Sequence, residues 1–267
     1  MPGPDLADYR QQTERLADAA RAAGEVALKT FRAPLKSWTK GKDSPVSEAD
    51  IACNELLHQR LSGDGVAWLS EESLDDPSRL TARRVWVIDP IDGTRAYIAG
   101  LPDWTIATAL VEDGRPVAAA LYAPVSDELF TATAGGGAFY NGVAMAATDG
   151  ETLDGASFGG PRGYLDRMQK ARPAIIATPR VHSLALRFAR VAQGVLDAAL
   201  ASRNSNDWDL AAADLLVHEA GGLLTTISGQ VLTYNQAVTA HDALVAAGRE
   251  RHRRLIGLVQ EHQIAAA

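Results

Sequence analysis

Asp89 and Asp92 close the apolar run 85-VWVIDPID-92, and Gly93 and Thr94 follow at once. Acids packed together at the end of a buried strand are costly unless a cation sits between them, because burial and mutual repulsion both oppose ionisation. Three more acids occupy comparable places. Glu71 and Glu72 follow the short stretch 66-VAWLS-70, and Asp209 follows Trp208 at the start of an apolar segment. Carboxylates are hard oxygen donors that suit magnesium or calcium rather than zinc. Magnesium takes about six oxygens and keeps several of them as water, so a few carboxylates plus a substrate phosphate suffice. Asp89 and Asp92 are close enough to share or bracket two ions, and the Pro90-Ile91 turn between them offers a carbonyl oxygen. Two ions about 4 Å apart would clamp the attacking and the leaving oxygen of a phosphoryl transfer.

Gly93-Thr94 adds an anion site. If a helix opens here, its first N–H groups are unpaired, and glycine lets a phosphate approach the backbone. The Thr94 hydroxyl can orient a metal-bound water, and Asp50 is the candidate acceptor of its proton. Plainer readings stand beside these. The run 89-DPIDGT-94 is rich in turn formers. Ser47 to Asp50 matches the helix-capping pattern Ser-x-x-Asp. Asp209 stands where an acid favours a helix N-terminus, and Glu71-Glu72 reads equally as a solvated pair. Lys40 and Lys42 read as solvated, and the 6 histidines show no ligand spacing. Spacing alone leaves these readings side by side.

The acids are spread over most of the chain, so several elements must bring them together. Leu6, Tyr9, Thr13, Leu16, Ala20, Ala23 and Ala27 recur at three- and four-residue spacing and predict a helix over 5–31. Residues 31–45 read as a loop or irregular edge, and Ser47 begins a second helix that stops near Gly63. VAWLS and VWVID read as strands joined by the polar stretch 71–84. Residues 104–124 read as two strands meeting at the Asp113-Gly114 turn, and 128–142 as further strand with a glycine-rich turn. The segment 143–173 is small, polar and poorly periodic, which places a domain boundary near residue 150. Residues 1–150 then form an α+β half with most of the acids, and 151–267 an α/β half that contributes Asp209. In this second half the strands AIIAT, LDAALA and LLTTISG alternate with the helices SLALRFARVAQG and WDLAAADLLVHEAG. The fold class expected is layered α/β (α+β).

Bulk properties narrow the partners. A formal net charge of −7 argues against a nucleic-acid binder, yet is compatible with a phosphorylated substrate, because bound metal ions reverse the local charge. The single cysteine, Cys53, allows no intrachain disulfide and fits a reducing compartment. The first residues carry charges throughout, unlike a signal peptide, and no run of about 18 apolar residues suggests a membrane span. The expected location is the cytoplasm.

Together these segments resemble the inositol monophosphatase superfamily of magnesium-dependent phosphatases. DPIDGT, followed by Tyr97, is similar to its first signature, and 208-WDLAAADLLVHEAGG-222 to its second. SPVSEAD and LSEES fill the two upstream places in the expected order, and the resemblance extends from about residue 10 to about residue 250. It implies a layered α-β-α-β-α sandwich, usually dimeric, with the active site between the two halves. It implies that Glu71, Asp89 and the Ile91 carbonyl hold one magnesium and that Asp89, Asp92 and Asp209 hold a second, with a third, weaker ion leaning on Glu71. Gly93 and Thr94 would cradle phosphate, Thr94 with Asp50 would activate the attacking water, and lithium would inhibit.

Members of the superfamily share these ligands and differ at the substrate rim. Inositol monophosphatases typically place a glutamate about seven residues before the Trp-Asp pair. Here 199-ALASRNSNDWD-209 has none, and Ser202 and Arg203 occupy the region. Arg203 suits a second phosphate, although a solvated arginine fits as well. The rim therefore leans toward a 3'(2'),5'-bisphosphate nucleotidase. A broad-specificity inositol-1-phosphate phosphatase comes next and a histidinol-phosphatase third. Some members also bind macromolecular partners, so a regulatory scaffold is a reading of another class; five carboxylates at metal-binding places weigh against it as the sole role.

Overall fold

The computed structural model describes residues 5–41 and 44–264; Lys42, read above as solvated, lies outside them. The helices are α1 (Leu6–Thr30), α2 (Glu48–Leu61), α3 (Thr94–Ile98), α4 (Arg162–Ala171), α5 (Leu184–Ala192), α6 (Asp207–Glu219) and α7 (Arg249–Glu261). They flank two main sheets. The larger has seven strands, in the order Ala67–Ser70, Arg84–Asp92, Thr105–Glu112, Arg115–Ala123, Glu128–Thr133, Gly137–Tyr140 and Val143–Ala144. The smaller has five, in the order Ile176–Ala177, Ser157–Gly159, Ala198–Ala201, Leu244–Gly248 and Gly222–Thr226.

Three apolar cores separate the layers. Successive side chains of a strand point to opposite faces, so Trp86, Ile88, Ile106 and Leu110 pack against α1 and α2, with Leu16, Ala20 and Leu57. Val85, Val87, Ala107 and Ala109 face the other way, toward Phe188 of α5 and Leu210 and Leu216 of α6, and beyond them Ala199 and Ala246 of the smaller sheet. The outer face of that sheet, with Leu200 and Val245, is covered by Leu165 and Met168 of α4 and Leu255 and Val259 of α7. The result is the α-β-α-β-α order. Helices α5 and α6 form the middle layer, the one in contact with both sheets.

Several local expectations change. Residues 31–45, expected as a loop or irregular edge, include the strand Ser37–Lys40, which pairs antiparallel with Ser44–Ser47. The first of these strands is largely exposed, so no inside–outside alternation marks it. The poorly periodic segment 143–173 holds two strands, Val143–Ala144 and Ser157–Gly159, and the whole of α4, which buries only Leu165 and Met168. Among the described residues, no helix is long and apolar enough to cross a membrane.

Candidate active site

Alternation along Arg84–Asp92 sends Ile88 toward α2 and the next residue, Asp89, toward α6. The pairing register with Thr105–Glu112 then shifts between Asp89 and Asp92. A bulge of this kind re-aims side chains, and here Asp92 joins Asp89 rather than alternating away from it. Asp209 comes from the first turn of α6, where Asn206 is the N-cap and its N–H donates to Asp209 Oδ2 at 2.6 Å. One carboxylate oxygen from each of Asp89, Asp92 and Asp209 lies within 4.8 Å of the others. Glu71 follows the neighbouring strand Ala67–Ser70, its N–H donating to the Ile88 carbonyl at 3.2 Å. The capping of α6 and the clustering of Asp209 thus coexist.

Thr94 follows Gly93, which caps α3 with φ +97°. Thr94 Oγ1 lies 3.0 Å from Asp50 Oδ1 and 3.0 Å from the Ile91 carbonyl. The other Asp50 oxygen accepts the Ser47 N–H at 2.8 Å and the Ser47 hydroxyl at 2.5 Å. Asp50 therefore closes the start of α2 and reaches Thr94 with the same carboxylate. Asp89 Oδ1 accepts the Ile91 N–H at 3.0 Å, which turns the backbone between the two aspartates.

Electrostatically the cluster is under load. Burial, then the charges of Glu71, Asp92, Asp209 and Asp50, push Asp89 well above the usual carboxylate range. Burial, then Asp92, do the same to Asp209. Burial is the main cause that raises Glu71 to about 7, with Glu72, Asp50 and Asp92 adding to it and Lys40 opposing. Asp92 is also raised by burial, but Ser183 and the N–H groups of Ala185 and Leu184 oppose the rise. Burial raises Asp50 against the hydrogen bonds from Ser47 and Thr94. Five carboxyls that resist ionisation, Asp50, Asp89 and Asp92 buried and Glu71 and Asp209 half-buried, form a set that a divalent cation would relieve.

Sequence reasoning missed two contributors. Asp92 sits at the N-terminus of α5, accepting the Ser183 hydroxyl at 2.5 Å, the Ala185 N–H at 2.7 Å and the Leu184 N–H at 3.2 Å. A Ser before an apolar run signals a helix start, but nothing in it names the distant acid it meets. Lys40 is not merely solvated: its Nζ lies 2.7 Å from Glu72 Oε1 and donates to the Glu71 carbonyl at 3.0 Å. Glu72 is thus paired with a lysine, while Glu71 Oε1 accepts the Ser44 hydroxyl at 3.4 Å and lies 4.0 Å from the same Nζ.

Beside Asp92 opens a cavity of about 610 Å³, with Leu184, Arg187, Ser202 and Ser205 in its wall. Arg203, between the two serines, turns away: its Nε lies 2.8 Å from Asp242 Oδ1 and the side chain is 58 % exposed. The rim position assigned to Arg203 from sequence is filled by an external ion pair.

A two-sheet, three-helix-layer sandwich with clustered carboxylates at its centre is the architecture of the metal-dependent phosphatases resembled above. The sequence model of the Inositol monophosphatase family matches residues 8–264. Inositol monophosphatase 2 of Solanum lycopersicum is 33 % identical over 231 residues, covering 79 % of this chain and 86 % of that protein. Nus factor SuhB of Salmonella typhimurium is 34 % identical over 225 residues, covering 79 % and 83 %. The crystal structure of extragenic suppressor protein suhB from Bartonella henselae superposes with a TM-score of 0.83 at 27 % identity, over 93 % of this chain and 98 % of that one. The chain belongs to the inositol monophosphatase family. Its members are metal-dependent phosphatases, and the chain is a phosphoric monoester hydrolase acting on small phosphorylated compounds.

Proposed function

We propose that the protein hydrolyses the phosphate monoester of a small polyhydroxylated alcohol, of the inositol 1-phosphate type, with magnesium at the acid cluster. The observation that carries this reading is the convergence of Asp89, Asp92 and Asp209 within 4.8 Å. Relatives named inositol monophosphatase favour this ester over the bisphosphorylated nucleoside to which the rim sequence leans, and over histidinol phosphate.

The donor set fits hard divalent cations, being built of carboxylate oxygens with the Ile91 carbonyl beside them. Glu71, Asp89 and Ile91 would hold one ion and Asp89, Asp92 and Asp209 a second, with a third against Glu71. Bound there, magnesium supplies a Lewis acid that acidifies water and neutralises phosphate charge. The protein's own residues do the rest. Gly93 and Thr94 present backbone to the phosphate, and Gly93 has no side chain in its path. Thr94 orients the attacking water, and Asp50 receives the proton through it. Ser183, Leu184 and Ala185 fix the orientation of Asp92, so that this carboxylate is held in place before substrate arrives. Lithium, which competes for such sites, would inhibit.

The division of the chain near residue 150 belongs to the same reading, supported by the larger sheet ending at Ala144 and the smaller beginning at Ser157. A homodimer and a cytoplasmic location are further parts of it. A second reading, partner binding beside catalysis, is favoured by the relatives named Nus factor SuhB. Phosphate release from inositol 1-phosphate tests the main reading: release with magnesium and none with EDTA supports it, and no release at any magnesium concentration overturns it.

A further inference from the structure

The strands Gly222–Thr226 and Leu244–Gly248 are antiparallel neighbours, and Thr226 pairs with Leu244. A two-residue turn could join such strands. The chain instead runs out through residues 227–243 and back. Connections longer than about 12–15 residues in a compact domain usually serve a function. This one reaches the start of α6, the helix that carries Asp209.

There it grips Asp207, which opens α6 two residues before Asp209 and is 1 % exposed. Asp207 Oδ1 lies 2.7 Å from His241 Nε2, and Oδ2 accepts the Asn235 N–H at 2.7 Å. The Asp207 N–H donates to the Thr239 carbonyl at 3.0 Å, and Ala240–His241 pairs with Ser205–Asn206 at the entry to the helix. Further along α6, Asp214 Oδ2 accepts the Tyr234 hydroxyl at 3.0 Å. Asp207 is not one of the three clustered aspartates. Both its oxygens are engaged by the excursion.

The excursion is itself anchored. Arg79, in the 3-10 turn Pro77–Thr81, is 1 % exposed. Its Nη1 donates to Asn235 Oδ1 at 2.8 Å and to the Gln236 carbonyl at 3.1 Å, and Asn235 Nδ2 donates back to the Arg79 carbonyl at 2.8 Å. Arg79 Nε and Nη2 donate to the two oxygens of Asp75 at 2.5 Å and 3.0 Å. Asn235 has φ +58°, a left-handed conformation that asparagine tolerates better than most residues. Arg79 belongs to the stretch 71–84, which begins at Glu71. One chain of hydrogen bonds therefore runs from the segment after Glu71, through Arg79 and Asn235, to Asp207 beside Asp209.

We propose that Arg79, Asn235 and Asp207 form a brace that positions Asp209 for the cation it shares with Asp89 and Asp92, none of the three being a ligand. This rests on the metal reading above. A buried guanidinium is a weak source of stability, because desolvation offsets its pairing. Fixing the spacing of two segments is the use this geometry fits. A ligand held in place before the cation arrives costs less to order on binding. The Asp207 charge also bears on Asp209, after burial, Asp92 and Glu71. Variants that keep Asp207 separate the brace from that charge.

Calorimetric titration of manganese into the metal-free protein, without substrate, counts the ions and gives a Kd for each. Asn235→Gly keeps the left-handed backbone and the N–H to Asp207 while removing the side-chain link to Arg79. Arg79→Met removes that link from the other side. Each is expected to weaken one ion about tenfold, the same ion that Asp209→Asn abolishes, and to leave the other within about twofold. The magnesium concentration for half-maximal phosphate release should rise by a similar factor, and raising magnesium should restore turnover. A lowered Tm with both manganese constants unchanged makes these residues structural only and overturns the inference. Equal weakening of every ion overturns it too. Weaker binding in Asp207→Asn, with none in Asn235→Gly, assigns the effect to charge and removes the brace. Should Arg79→Met fail to fold, Asn235→Gly decides. A wild-type protein that binds no manganese removes the metal reading and this inference with it. One that binds manganese yet hydrolyses no ester removes the phosphatase reading alone.

Discussion

The Thr94 hydroxyl oxygen stands 3.0 Å from Asp50 Oδ1 and 3.0 Å from the Ile91 carbonyl, so its single proton has two acceptors. Once the carbonyl is engaged elsewhere, the proton turns to Asp50 and the oxygen lone pairs become available to a water. Thr94→Ala and Asp50→Asn are each expected to lower kcat by about 10²–10⁴-fold, the range of a lost general base. Thr94→Ser should stay within about tenfold of wild type. Steady-state kinetics at saturating magnesium decide it, and an unchanged kcat in Thr94→Ala contradicts the assignment.

Glu71 ties stability to pH and metal. Its carboxyl is raised from 4.5 to about 7 in the folded chain, so the metal-free fold binds the proton more tightly than the unfolded chain does. Its contribution is complete below the unfolded value and lost as pH rises through the folded one. The raised Asp89 and Asp209 act in the same direction. Magnesium replaces the protons, so the rise in Tm on adding it should be larger at pH 8 than at pH 5. Thermal melts with and without magnesium measure this, and an equal increment at both values runs against it.

His252 gives the opposite slope at a place far from the acids in the fold. It lies in α7, its Nε2 is 2.9 Å from Thr225 Oγ1, and burial lowers its imidazole from 6.5 to about 4. Stability from this group is complete above the unfolded value and lost as pH falls through the folded one, about 3 kcal/mol in all. In saturating magnesium, the wild-type urea midpoint should fall between pH 7 and pH 4.5 more steeply than that of His252→Gln. Parallel profiles for the two proteins would remove His252 as the cause.

Gly93 is required by conformation and by space. Its φ is +97°, and an added Cβ would lie 3.3 Å from both the Asp103 carbonyl oxygen and the Ser183 nitrogen. Gly93→Ala is expected to cost about 1–3 kcal/mol, lowering Tm by roughly 2–10 °C, and to cut kcat/KM because the strain falls between Asp92 and Thr94. A melt matching wild type would show that the backbone accommodates the side chain.

The parts legible in the sequence are those with a local physical signal. Helix α1 repeats its apolar face from Tyr9 to Ala27, and Asp89 and Asp92 stand out because they end an apolar strand. The Ser-x-x-Asp pattern at Ser47 is legible as a cap, but the second contact of Asp50, to Thr94 44 residues away, is not. Nor is the Ser183–Ala185 clamp on Asp92: backbone N–H groups carry no side-chain signature, and Ser183 is 91 residues from its acceptor. Helix α7 is hidden for another reason: its run Arg249-Glu-Arg-His-Arg-Arg254 obscures the apolar period, although Arg251 and His252 are themselves buried. Arg203 shows the limit for rim residues, since a one-residue difference in a turn decides between cavity and solvent.

Anomalous diffraction from crystals soaked in manganese bears most directly on the claim that Glu71, Asp89, Asp92 and Asp209 together hold divalent cations. The expected map has at least two peaks in contact with carboxylate oxygens, one touching Glu71 and Asp89 and one touching Asp89, Asp92 and Asp209. A manganese-active protein whose map shows no peak within coordination distance of Asp89 would contradict it.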